Sequence, residues 1–143
     1  AAHLAGKAIN IAKTTAAHAI SYSFTSYHGI PHGHAVALTL PFFCGYNSQI
    51  SSEECNDERG TGHVRGIFSE LQDIIGEENI ENAVTTFISD LGLDLTIPES
   101  SNGIEKDMDR ILGNINAQRM KNNPRTVQIH DLRRMLKKII LSD

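Results

Sequence analysis

The stretch VRGIFSELQDIIGEENIENAVTTFISDLG, residues 64–92, carries two apolar stripes of one period. In the first, Ile67, Phe68, Leu71, Ile74 and Ile75 fall on a single helical face, and Gly76 follows as a residue able to take the left-handed stop conformation. In the second, Ile80, Val84, Phe87, Ile88 and Leu91 repeat the pattern up to Gly92. Strands would alternate apolar and polar residues with period two, and neither stripe does.

The same period extends outward in both directions. Toward the C-terminus, Leu93 to Gly103 reads as a loop around Pro98. Ile104, Met108, Ile111, Leu112 and Ile115 then form another helix, which Asn122-Asn123-Pro124 breaks. The last helix carries Ile129, Leu132, Leu136, Ile139 and Ile140. Toward the N-terminus, Ser51 to Gly62 reads as a polar turn region. A helix is expected from about His34 to Tyr46, and Gly29-Ile30-Pro31-His32-Gly33 is a forced break, because proline excludes the helical region for the residue before it. Before that break lies a helix from Ala16 to about Ser26, capped by Thr14-Thr15, and before the cap an Ala-rich helix runs from Ala1 to about Lys13. The expectation is an all-α domain of about six or seven helices.

Composition narrows the function classes. The chain has 143 residues, 40% of them hydrophobic and 21% charged, which is ordinary globular content. Its longest apolar runs, such as Ala35 to Leu38, fall far short of the ~20 residues that cross a bilayer. Thirteen Lys and Arg against seventeen Asp and Glu leave a net charge of -4, which argues against nucleic acid as the main partner. Two cysteines, Cys44 and Cys55, are too few for a disulfide framework and point to a reducing cytoplasm. They read as a small buried hydrophobe and a loop residue. The opening Ala1-Ala2-His3-Leu4 starts in mid-helix, without an initiator Met or the layout of a signal peptide, so the chain is expected to be a piece of a longer protein.

The main chemical signal is histidine. Of seven in the chain, His18, His28, His32 and His34 fall close together. His18 lies inside a helix, while His32 follows Pro31 in the break. Imidazole binds Zn²⁺ or Fe²⁺ well, and a helix plus a rigid loop can hold two ligands in place. His28 and His32 cannot share one regular helix across Gly29 and Pro31, and the Glu of a zinc-protease motif is missing. The alternative is that these are ordinary surface or core histidines. Gly60-Thr61-Gly62-His63-Val64-Arg65-Gly66 has the wrong spacing for a phosphate loop and no strand before it. The basic stretch from Arg119 to Lys138 reads as the solvated face of the terminal helix.

Ala17-His18-Ala19-Ile20, followed by Gly29-Ile30-Pro31-His32-Gly33-His34-Ala35-Val36-Ala37-Leu38, resembles the signature of iron-containing alcohol dehydrogenases. In that family a helical His and the His of a Pro-His-Gly turn fourteen residues later both bind the metal, and His18 and His32 keep this spacing. Leu4-Ala5-Gly6-Lys7-Ala8-Ile9-Asn10 resembles the family's preceding helix, and Asn123-Pro124-Arg125 with Asp131-Leu132-Arg133 resembles its closing motif. The likeness is weak between Ser51 and Ala117.

The resemblance implies a helical bundle equivalent to the family's C-terminal domain, which is dehydroquinate synthase-like. Residues 1–143 would form one all-α metal domain. The N-terminal nucleotide-binding domain, and the Asp and His that complete the metal shell, would lie outside the chain. The implied activity is hydride transfer between NAD or NADP and an alcohol or aldehyde, aided by a divalent metal, Fe²⁺ or Zn²⁺. The motifs look most like members acting on phosphonoacetaldehyde. Where many members carry a second His beside the nicotinamide, this chain has Tyr22, so the position is assigned to cofactor contact and any proton relay there is in doubt. Lys13 and Thr14, within about one helical turn of His18, and Arg119, just before the Asn122-Asn123-Pro124 break, are candidates for binding an anionic substrate group. Their plain alternative is solvated helix ends. The piece alone is expected to be inactive and to bind metal weakly, and the full enzyme could be a homo-oligomer. The rival reading is a stand-alone helical interaction or nucleic-acid module without catalysis.

Overall fold

The computed structural model describes residues 2–141, and its architecture is all-α as the periodicity predicts. Eight α-helices follow one another: α1 (Ala2–Ile11), α2 (Ala16–His28), α3 (His32–Ser48), α4 (Gly60–Ile75), α5 (Ile80–Asp90), α6 (Ile104–Leu112), α7 (Ala117–Lys121) and α8 (Ile129–Ile139). A 3-10 turn covers Ser52–Glu54. The two-residue strands β1 (Ile97–Pro98) and β2 (Ile140–Leu141) pair in parallel, which ties the long α5–α6 loop to the end of α8.

Several expected boundaries move, each for a local reason. The segment read as turn-forming up to Gly62 is helical from Gly60. There the Asp57 carboxylate accepts from the Arg59 backbone and guanidinium, and the Gly60 amide donates to the Asp57 carbonyl. Gly60 itself takes φ 82°. The helix expected from His34 begins at His32, with Pro31 (φ −53°) at its N-cap, so His32 belongs to the first turn of α3 and not to the break. Thr15 does sit at the N-cap of α2, but its hydroxyl makes no capping bond. An eighth helix, α7, comes from five residues too short to show a period, and the Asn116 side chain caps it by accepting from the Arg119 amide at 2.9 Å.

The core forms where α2, α3, α6 and α8 meet. Ala16, Ala17, Ile20, Phe24, Ala35, Leu38, Met108, Ile111, Leu132, Met135 and Leu136 are buried together, with Ile97 and Ile140 closing one end. Small residues on α2 let α3 lie close against it. By contrast α1 buries none of its residues, and α4 buries only Val64. Much of the apolar stripe that announces α4 in the sequence is solvent-facing, with Ile74 81% exposed.

A polar network fixes the Asn122-Asn123-Pro124 break beneath α3. Asn47 and Asn123, both buried, exchange side-chain amide bonds of 3.1 and 2.8 Å. The Asn56 amide donates to the Asn123 carbonyl. Tyr46 donates to Thr126 O at 2.7 Å and to the buried Asp131 carboxylate at 3.0 Å. The basic stretch is largely matched by acids: Arg125 with Glu54, Arg134 with Asp131, and Arg133 with Glu105 and Asp109 across α6 and α8. Arg125 departs from the solvated-face reading, since its guanidinium turns inward over the Tyr46 ring and donates to Tyr46 O.

Candidate metal and substrate site

His18 stands in the first turn of α2, and Tyr22, one turn later, shares its face. The left-handed turn at Gly29 (φ 67°) sends the chain back through Ile30 and Pro31. It brings His32, the first residue of α3, opposite both. The His18 and His32 ring centroids lie 5.7 Å apart, edge to face, and the Tyr22 ring is 5.2 Å from that of His32. Arg119, on α7, lays its guanidinium over the Tyr22 ring at 4.7 Å. The two elements are joined where the Asn122 side chain donates to the Thr14 carbonyl at 3.1 Å.

Burial lowers the pKa of His18 below its ordinary value, and the nearby His32 and Arg119 charges lower it further. A neutral imidazole is the form that binds a metal. Two imidazoles bound to one ion at about 2.1 Å, in a roughly tetrahedral arrangement, would have ring centroids about 5 Å apart. The observed separation of the pair is compatible with that arrangement. Two ligands do not make a closed shell, and among the described residues no group of three or more His, Cys, Asp or Glu is placed to hold an ion.

The other histidines face elsewhere. His28, at the end of α2, lies against Phe24, and its pKa is lowered by burial despite the opposing charge of Asp107. The His34 Nε2–H donates to the Asp94 carbonyl. Neither is poised to substitute as a ligand. Lys13 and Thr14 lie in the break between α1 and α2, just before the helix that carries His18. Thr14 reaches the cluster through its carbonyl, and Lys13 is exposed without a hydrogen bond or ion pair among the described residues. The structure therefore brings together the side chains of His18, Tyr22, His32 and Arg119. What sequence reasoning missed is Asn122, legible only as part of a helix break, and the stacking of Arg119 on Tyr22, for which no spacing gives a signal.

Two clefts of about 470 and 570 Å³ open away from this cluster. One lies between α3 and α8 around Tyr46, Gln128 and Asp131, and the other lies by Gln49, Arg65 and Gln72. Neither is lined by His18 or His32. The acids and bases of the first are largely paired with each other.

Residues 1–140 match the family model for the C-terminal part of the Fe-containing alcohol dehydrogenase family. The chain is also 42% identical over 95 residues, 65% of its length, to the phosphonoacetaldehyde reductase of Streptomyces viridochromogenes. That alignment spans 24% of the relative, so the chain corresponds to about a quarter of the curated protein it resembles. No solved structure matches.

Proposed function

The chain belongs to the iron-containing alcohol dehydrogenase family, and from that premise we propose that it supplies half of the metal shell and part of the substrate pocket of an NAD(P)-dependent aldehyde reductase. The observation that carries this reading is the convergence of His18 and His32, and burial shifts the His18 pKa downward, in the direction of the neutral ligand form. When bound, a divalent metal (Fe²⁺ or Zn²⁺) supplies Lewis acidity toward a carbonyl oxygen, and NAD or NADP supplies the hydride equivalent. His18 and His32 hold the ion from two rigid helix ends. Tyr22, at the rim of the pair, borders the cofactor side. Arg119 offers charge-assisted hydrogen bonds to an anionic group on the substrate, with Lys13 and Thr14 at the edge of the same region.

The likeness to a phosphonoacetaldehyde reductase supports an anionic aldehyde, phosphonoacetaldehyde, as the substrate class. The remaining ligands and the nucleotide-binding domain would come from N-terminal sequence beyond this chain, so residues 1–143 alone are read as inactive. The reading includes a soluble cytoplasmic enzyme, assembled as a homo-oligomer, with no nucleic-acid partner. Titration of residues 1–143 with Zn²⁺ or Fe²⁺ tests it: weak binding is expected, lost in both His18→Ala and His32→Ala. Tight binding that survives either change overturns the assignment.

A further inference from the structure

We propose that the Tyr22 ring is a positioning shelf for Arg119, holding the guanidinium flat beside His18 and His32 so that its N–H edge meets the anionic group of the substrate. The inference rests on the reading of Arg119 as the anion-recognising residue and adds how this chain aims it. Three observations carry it.

The first is the stack itself. The Arg119 guanidinium carbon lies 4.7 Å from the Tyr22 centroid, and the same ring sits 5.2 Å from His32. One aromatic residue thus touches both the candidate metal ligand and the cation. The second is the state of the guanidinium edge. Arg125 is stacked as well, over Tyr46 at 4.0 Å, yet its N–H groups are taken by Glu54 and by Tyr46 O. Among the described residues no carboxylate or carbonyl accepts from the Arg119 side chain. A cation–π contact takes up no carbonyl or carboxylate acceptor, so the guanidinium donors stay available to a bidentate acceptor such as a phosphonate. The third is the base on which Arg119 stands. The Asn116 cap and the Asn122–Thr14 bond fix both ends of α7, so the remaining freedom lies in the long side chain, which the ring restricts. Restricting it before binding lowers the ordering loss when the anion arrives.

The test uses the full-length protein carrying this chain. The first readout is the ratio of kcat/KM for phosphonoacetaldehyde to that for an uncharged aldehyde of similar size. The second is the dissociation constant of phosphonoacetate, measured calorimetrically without turnover. Tyr22→Leu removes the ring from a site that is 45% exposed, so the core is left intact. It is expected to lower the ratio about tenfold and to weaken phosphonoacetate by a similar factor. Tyr22→Phe keeps the ring and loses only the hydroxyl, so it keeps both values within about twofold of the starting protein. In an Arg119→Ala background, Tyr22→Leu adds no further loss of selectivity, since the two act as one unit. If Arg119→Ala lowers the ratio while Tyr22→Leu does not, the shelf is overturned and the Arg119 reading stands. Equal losses in Tyr22→Phe and Tyr22→Leu assign the effect to the hydroxyl and overturn the shelf. An unchanged ratio in Arg119→Ala overturns both.

Discussion

Asp107 and His28 set opposite ends of the acid sensitivity of this fold. Burial works to raise the Asp107 pKa, but bonds from the Ser100 hydroxyl and amide prevail, and the charges of His28 and Arg110 add to them, so it lies below the ordinary 3.8. A carboxylate lowered in this way contributes stability above the unfolded value and loses it as pH falls through the folded one. His28 is a base whose pKa is lowered from 6.5, mainly by burial, and His18 shares that direction. The unfolded chain then binds more protons than the folded one just below the ordinary value, so stability also falls with pH there. Urea-unfolding midpoints are expected to decline in two stages, the first beginning near pH 6.5 and the second below pH 3.8. His28→Gln should reduce the first stage, which His18 shares, and Asp107→Asn should reduce the second. Unchanged pH profiles in both variants would sink this account. Tyr46 shows the same logic without titrating in range: burial and its bond to Asp131 push its hydroxyl up to about 12, so it stays a donor. Tyr46→Phe leaves Asp131 and the Thr126 carbonyl short of a partner, and a loss of roughly 1–3 kcal/mol is expected in denaturant titration.

Among the elements, the α3–α5 contact depends on one missing side chain. A Cβ built on Gly45 would lie 2.9 Å from the Glu81 Cβ and would also meet its carboxylate oxygen. The carboxylate can swing away, but the Cβ is fixed to the α5 backbone. Gly45→Ala therefore has to move a helix, and a loss of about 1–3 kcal/mol follows from overpacking. Adding Glu81→Ala should recover only part of it, because the Glu81 Cβ remains; full recovery would place the strain in the carboxylate alone. Helix ends were legible where a residue forces them. Gly29 and Gly76 both take the left-handed conformation that ends α2 and α4. Ends made by side-chain bonding were not legible. The α4 start depends on the Asp57–Arg59 turn and α7 on the Asn116 cap, and both come from short polar segments with no apolar period.

For the whole molecule, apolar period and burial part company. Leu136 is fully buried in the core, whereas Ile74 is 81% exposed although both belong to regular stripes. In residues 1–143, Leu136→Ala is expected to cost about 2–5 kcal/mol and Ile74→Ala less than about 0.5 kcal/mol. Comparable losses at the two sites would mean that the α4 stripe is covered. The helical class and the break at Pro31 were readable along the chain, because periodicity and proline geometry are local properties, and the family resemblance pointed to His18 and His32, whose rings do lie near each other. Tertiary structure alone decided which stripes face the core and that Tyr22 lies between His32 and Arg119. It also decided that His28 and His34 turn to other partners. Those outcomes depend on how α2, α3 and α7 pack in space, and packing joins residues such as Thr14 and Asn122 whose separation along the chain carries no signal.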